Sequence, residues 1–285
     1  MTLAGFALVV AAAFCHATWN FYVKRINAGP ELVWLFSAVT VVIYAPLAIY
    51  VLATQDNQFN GQQLLFIFGS MVLHLAYFLL LQKAYSKGDL SVIYPTARAT
   101  GPLLSTTFAV LILGEKVNAQ IVLGGLAIIV GVLCLTGGFR SGGRNILTSI
   151  AFGVATGMLI ATYTIWDAYA VATLLVAPLL LDYASSVGRC LILLPIAHRK
   201  RDAITRLCRE HWFGVLVIAA LNPLAYILVL YALTFTPVVY VAPTRELSVM
   251  ITVLMGSLLL GEGHTVRRLL WAAVITSGVA LLATA

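Results

Sequence analysis

The chain has 285 residues, of which 61% are hydrophobic and only 9% are charged, and its formal net charge is +7. Because a soluble domain carries about 25% charged residues, a water-soluble globule of this composition is excluded and lipid must solvate much of the chain. The sequence therefore predicts an all-α integral membrane protein in contact with the lipid bilayer. The basic residues fall in short connections between apolar runs, where membrane topology explains them, so no nucleic-acid partner is expected.

Ten apolar runs of about 20 residues, the length that crosses a bilayer as a helix, are predicted in chain order. The first begins at Leu3 without a basic segment before it, so a retained helix is expected rather than a cleaved signal peptide. The four cysteines form no CxxC spacing, and neither a metal site nor a cofactor is expected. The predicted spans are residues 3–23, 31–53, 63–84, 91–113, 119–137, 147–167, 178–197, 212–234, 238–260 and 266–283.

The basic residues between these spans lie almost entirely on one side of the membrane. The positive-inside rule places that side in the cytoplasm, so both termini are predicted on the outer side. The opposite side has only Lys116, and three arginines lie inside spans. The cytoplasmic set is Lys24, Arg25, Lys83, Lys87, Arg140, Arg144, Arg199, Lys200, Arg201, Arg206, Arg209, Arg267 and Arg268.

The second half of the chain repeats the first. Leu75-Ala76-Tyr77 recurs as Leu224-Ala225-Tyr226, and Leu113-Gly114-Glu115 recurs as Leu260-Gly261-Glu262. We predict two five-helix repeats, residues 1–141 and 142–285, within one compact membrane domain. Because five is odd, the second repeat must enter the membrane inverted, which is the architecture of many transporters. Such symmetry supplies two arrangements of similar energy, as alternating access requires.

Several charged residues fall inside the spans, where charge is costly and usually faces an interior cavity. Arg98 in span four and its repeat mate Arg245 in span nine are predicted to bracket the midplane. They either bind a substrate carboxylate, pair with Glu246, or act as structural clamps on neighbouring spans. Asp182 and Arg189 share one face of span seven, either lining a cavity or forming a polar seam between helices.

Polar and aromatic residues on further spans form a candidate pocket. Such side chains hold an apolar group and still donate hydrogen bonds, although tyrosine and tryptophan also form interfacial belts. His16 or His74 is a candidate carrier of a coupling proton, with a hydrogen-bonded packing role as the alternative. The candidate pocket residues are His16, Trp19, Asn20, His74, Tyr77, Tyr94, Tyr163, Trp166 and Tyr226, with Thr164 and Asp167 also available from span six.

Four prolines fall inside predicted spans, where each removes a backbone hydrogen bond and favours a kink. Pro46 and Pro195 occupy equivalent positions in the two repeats, and Pro102 and Pro223 lie in spans four and eight. We interpret these four prolines as hinges. Glu115 and its mate Glu262 end apolar runs, where anchoring of the following helix start is the expected role.

The chain resembles the drug/metabolite transporter superfamily, in particular its ten-helix EamA-type members, which include bacterial amino-acid exporters. The resemblance covers essentially the whole chain and implies a basket-like 5+5 fold with a central cavity. It rests on residues 16–20, 94–98 with Pro102, 113–115, 161–167, 245–248 and 260–262.

We therefore expect a bacterial inner-membrane carrier that exports amino acids, large apolar or aromatic ones above all, by alternating access. The spans lack the several interior lysines that phosphorylated cargo would favour. The alternative is an exporter of drugs or cationic metabolites that uses Glu246 or Asp182 as the charge partner. No HExxH or P-loop motif is present, so an enzyme is not expected. Proton exchange and passive facilitation remain open, and a duplicated chain is expected to act as a monomer.

Overall fold

The structure is a computed structural model that describes residues 1–54, 59–87, 90–135, 146–259 and 265–285, without the side chains of 82, 85, 86, 90, 91, 256–259 and 265–268. These residues form helices and no strand. The helices are α1 (Leu3–Ile26), α2 (Pro30–Thr54), α3 (Gly61–Lys87), α4 (Leu90–Ile112), α5 (Ala119–Leu135), α6 (Ile146–Ala172), α7 (Pro178–Ile192), α8 (Leu194–Arg199), α9 (Arg201–Leu233), α10 (Val238–Thr244), α11 (Leu247–Leu259) and α12 (Thr265–Thr284).

Some predictions fall outside the described residues and side chains. They concern the repeat boundary between residues 141 and 142, the loop residue Glu262, and four of the predicted cytoplasmic charges, Arg140, Arg144, Arg267 and Arg268.

Six stretches of the described helices are long and apolar enough to cross a membrane: α1, α2, Gly61–Leu81 of α3, α6, α9 and the α10–α11 segment Val238–Met255. Two more helical stretches, Ala119–Leu135 and Leu269–Thr284, are apolar but shorter. Large apolar side chains that face outward fit lipid as the surrounding solvent. Those that are more than half exposed include Val42, Ile49, Leu64, Leu65, Phe68 and Leu123. The fold is that of a multi-pass helical membrane protein.

The helix bounds differ from the predicted spans in the second half of the chain. Span seven was predicted to run to residue 197, but α7 ends at Ile192 and Pro195 lies in the first turn of α8. Proline is well tolerated there because the first-turn N–H groups have no partner within the helix. The polar connection before span eight is helical too, and α9 changes direction at His211, whose backbone is non-helical.

Span nine was predicted as one helix, but it is broken into α10 and α11 at Arg245 and Glu246. The break is a tight turn in which Glu246 N donates to Pro243 O and Ser248 N donates to Arg245 O. Pro243 contributes to this turn, since its nitrogen cannot donate a hydrogen bond to the preceding turn of the helix. Arg245 keeps helical backbone angles, so the turn distorts the span without unwinding it.

Helix packing follows the repeat. The sequence pairs α1 with α6, α2 with α7, α3 with α9, α4 with α10–α11 and α5 with α12. When each helix is replaced by its partner, the α1–α9 contact becomes an α6–α3 contact, and the α1–α11 contact becomes an α6–α4 contact. Both of these contacts are present. The α2–α7 and α5–α12 contacts convert into themselves. The contacts among the described helices are therefore paired between the two halves.

The α5–α12 seam shows this relation residue by residue. A Cβ atom on Gly278 would lie 2.7 Å from Gly124 O and 2.9 Å from the Ile128 side chain. The repeat mates make the same contact, because Gly131 packs directly against Ile275. Glycine is required here since the two backbones approach too closely for any side chain.

Two ends of the bundle can be recognised from the loop contacts. At one end the Glu115 carboxylate accepts hydrogen bonds from Val238 N and Val239 N at 2.8 and 2.9 Å. This joins the end of α4 to the start of α10, so the two repeat mates run in opposite directions. At the other end Lys200 pairs with Glu31 at 2.8 Å, which ties the start of α9 to the start of α2.

Candidate substrate site

Arg98 of α4 is held by groups of the broken span. Its Nη1 atom lies 3.4 Å from Glu246 Oε1, and its Nη2 atom lies 3.5 Å from Ser248 Oγ. The guanidinium also faces the Tyr94 ring at 5.7 Å from the centroid. The side chains of Arg98 and Glu246 are 16% and 4% exposed, so this is a buried ion pair.

Arg245, the repeat mate of Arg98, has different surroundings. Its guanidinium lies 5.6 Å from the centroid of the Tyr226 ring, within the range of a cation–π contact. Among the described residues, no carboxylate is recorded within ion-pair distance of it. Glu246 follows directly in the chain and keeps one carboxylate oxygen, Oε2, buried without a hydrogen-bond partner.

A second polar cluster centres on Asp167 of α6, which is fully buried. Its Oδ2 atom lies 2.9 Å from His74 Nε2 on α3 and accepts a 2.5 Å hydrogen bond from the Tyr226 hydroxyl on α9. Its Oδ1 atom has no hydrogen-bond partner. Tyr226 therefore joins the two clusters, because its hydroxyl contacts Asp167 while its ring faces Arg245.

Aromatic side chains fill the space around this junction. The Tyr163 ring stacks on His74 at 4.3 Å between centroids. Tyr77 and Tyr226 contact Tyr163 edge-on at 5.7 and 6.2 Å. These rings give the interior an apolar wall with hydroxyl groups, as an amphipathic ligand requires.

His16, Trp19 and Asn20 lie together on α1. The Asn20 amide donates to His16 Nδ1 at 2.8 Å, and the His16 ring packs edge-on against Trp19. Accepting that bond leaves Nε2 as the protonated nitrogen of a neutral imidazole. His16 lies within electrostatic reach of Arg98 and Arg245, which places it beside the first cluster.

Asp182 and Arg189 of α7 do not pair directly. Arg189 donates to Ser186 Oγ at 3.1 Å and lies 5.9 Å from the centroid of the Phe36 ring. Asp182 Oδ2 is buried without a hydrogen-bond partner, and the carboxylate lies within electrostatic reach of His74 and Asp167. The α7 face therefore borders the Asp167 cluster.

Trp166 lies apart from these clusters. Its indole donates to Phe66 O at 2.8 Å and stacks on the Phe66 ring at 4.1 Å. It lines an apolar groove of about 360 Å³ formed by α3, α4 and α6. The structure thus places Trp166 with packed aromatic residues and not with the polar groups.

The four predicted hinge prolines occupy different positions in their helices. Pro46, Pro102 and Pro223 lie inside helices, whereas Pro195 begins one. The main departure from helical geometry in α9 is at His211, not at Pro223.

The sequence analysis offered Asp167 beside the candidate pocket residues, but it did not include Ser248 among them. Asp167 had a signal, because it follows Tyr163 by four residues and so shares its helix face. Ser248 had none, since its approach to Arg98 depends on the break in span nine. Counted together, the interior carboxylates Asp167, Asp182 and Glu246 balance three arginines, Arg98, Arg189 and Arg245.

Charged groups inside lipid-facing helices carry a large desolvation cost and usually face an interior cavity, which is typical of a membrane transport protein. The sequence of the chain matches the EamA-like transporter family twice, over residues 3–137 and 147–284. The chain belongs to this family, whose unit occurs once in each half.

A solved structure, described only as the crystal structure of a protein, shares the fold with a TM-score of 0.71 at 13% identity. The match covers 97% of this chain and 98% of the other. No curated protein shows significant sequence similarity to the chain.

Proposed function

We propose that this transporter exports amino acids, chiefly large apolar or aromatic ones, across a bacterial inner membrane by alternating access. The observation that carries the proposal is that Arg245 and Glu246 are neighbours in the turn that divides span nine. Within the part of the chain that the structure describes, Arg245 has no carboxylate at ion-pair distance, and Glu246 keeps one carboxylate oxygen without a hydrogen-bond partner.

These adjacent groups complement the two charges of an α-amino acid. A substrate carboxylate would bind the Arg245 guanidinium, which offers paired donors, and the substrate ammonium would bind Glu246 Oε2. Arg98 orients the Glu246 carboxylate through its ion pair. The aromatic wall of Tyr226, Tyr163 and Tyr77 would then take an apolar side chain.

The transport cycle we propose uses two inverted five-helix repeats and ten membrane spans. The antiparallel approach of α4 and α10 and the exchangeable helix contacts support it. We place both termini outside, because basic residues gather in the last turn of α1 and the first turns of α9, as in Arg25 and Arg209. The duplicated chain needs no second copy to complete this pathway, so we propose a monomer.

The proposal is tested in proteoliposomes with labelled large apolar amino acids and three competitors. An unlabelled amino acid should inhibit flux, whereas its methyl ester and its N-acetyl derivative should each lose at least about tenfold in potency, one charge contact being worth about 1.4 kcal/mol or more. Equal potency of all three would refute recognition of the zwitterion. Absence of flux for every amino acid would refute the function.

An exporter of drugs or cationic metabolites is the second candidate. Glu246 and Asp182 each keep an unpartnered buried carboxylate oxygen, which favours a cation. The decarboxylated amine decides between the two, because it keeps the ammonium and lacks the carboxylate. A cation exporter should take the amine better than the amino acid, and an amino-acid exporter should reject it.

A further inference from the structure

We propose that Asp167, held between His74 and Tyr226, is a proton-binding site that exchanges one proton inward for each substrate exported. This deepens the proposed function, on which it rests. This site is separate from Arg245 and Glu246. It identifies the proton as the coupling ion, whereas the sequence did not decide between proton exchange and passive facilitation.

The geometry of Asp167 is unlike that of a merely structural carboxylate. The Oδ2 atom accepts the hydrogen bond from the Tyr226 hydroxyl and also lies within hydrogen-bond distance of His74 Nε2. The Oδ1 atom is buried and has no hydrogen-bond partner among the described residues. A buried ionised carboxylate with an unsatisfied oxygen is costly. Binding a proton at Oδ1 removes the charge and leaves Oδ2 free to keep accepting hydrogen bonds.

The neighbouring charges favour the same step. Asp182 lies within electrostatic reach of Asp167 and His74, and two carboxylates near each other disfavour double ionisation. The titratable and charged groups around the triad are Tyr163 on α6, Tyr77 on α3, Asp182 and Arg189 on α7, and Arg245 behind Tyr226.

Tyr226 supplies the coupling. With Asp167 ionised, its hydroxyl is held by a short charge-assisted hydrogen bond, which fixes the ring beneath Arg245. A proton from the outer water forms an O–H bond at Oδ1, and the neutral carboxyl then holds the Tyr226 hydroxyl less strongly. Return of the proton to the cytoplasm restores the first state. The substrate site thereby differs between the two protonation states, as exchange requires.

The test separates exchange from gradient-driven export. In proteoliposomes loaded with a labelled amino acid, an acidic outer medium should accelerate wild-type efflux several-fold. Asp167→Asn should lose this stimulation, so that the ratio of its efflux rates in acidic and neutral outer medium falls to about one. The exposed carboxylate variant Glu210→Gln should behave as wild type in both. Wild-type efflux that ignores the gradient, or stimulation that survives in Asp167→Asn, would overturn the proposal.

A second readout does not depend on substrate. Infrared difference spectra of the purified protein between acidic and alkaline pH should contain a carboxyl C=O band that is lost in Asp167→Asn and kept in Glu210→Gln. A wild-type protein without this band refutes the proton site even if amino acids are exported. A band in a protein that moves no amino acid refutes only the proposed function.

Discussion

The α5–α12 seam and the centre of the molecule show two outcomes of one duplication. At the seam the copies remain equivalent, because Gly131 contacts Ile275 as Gly278 contacts Ile128. At the centre they differ, because Arg98 lies in a continuous helix and is paired, whereas Arg245 lies at a helix break and faces Tyr226. Symmetry is kept where the fold needs a tight contact, and it is lost where a ligand would need distinct charges.

The strongest test of this contrast is the loss of Arg98. Arg98→Gln leaves Glu246 as an unpaired buried charge, which should destabilise the protein by about 3–5 kcal/mol. Thermal unfolding of the purified protein in detergent measures the effect. Arg98→Gln combined with Glu246→Gln is the control and should recover part of the stability. Unchanged unfolding of the single variant would show that the ion pair does not hold the centre together.

The second largest loss of stability is expected from a substitution at the α5–α12 seam. Gly278→Val places a side chain against the Gly124 carbonyl, a backbone atom that cannot move aside alone, and overpacking of this kind costs about 1–3 kcal/mol. Gly125→Ala is the matched control on the same helix pair, because its Cβ would meet only Pro243 at 3.9 Å. The seam argument fails if both variants yield equal amounts of folded protein with equal unfolding temperatures.

Arg245 should behave differently from its mate. Arg245→Gln should weaken amino-acid binding by about tenfold or more, the worth of one charged hydrogen-bonded contact, with little change in unfolding temperature. Equilibrium binding of a labelled amino acid to the purified variant measures this. Arg209→Gln removes an exposed charge and should bind as wild type. Unaltered affinity in Arg245→Gln would remove Arg245 from the substrate site.

The smallest effect concerns the prolines. Pro46→Ala should slow transport a few-fold if the kink is a hinge, whereas Pro195→Ala should do less, because Pro195 starts a helix. Initial rates in proteoliposomes compare the two, with folded protein checked by size exclusion. Wild-type rates in Pro46→Ala would end the hinge interpretation.

The sequence determined the class of protein and most of its helices. Hydrophobicity and length decide this, since a backbone in lipid must satisfy its own hydrogen bonds and long apolar runs become helices. The repeat also predicted which helices are partners, because matching residues recur at a nearly constant offset. The placement of Arg98 and Arg245 inside the protein followed from the cost of charge in lipid.

Only the tertiary structure decided how these side chains are partnered. Local pattern could not show that span nine breaks at Arg245, that Pro195 begins α8, or that Trp166 joins Phe66 instead of the polar cluster. Asp167 became central because α3 and α9 bring His74 and Tyr226 to it from positions 93 and 59 residues away in the chain. The reason is physical: a buried hydrogen bond depends on the distance between two atoms, and helix packing sets that distance.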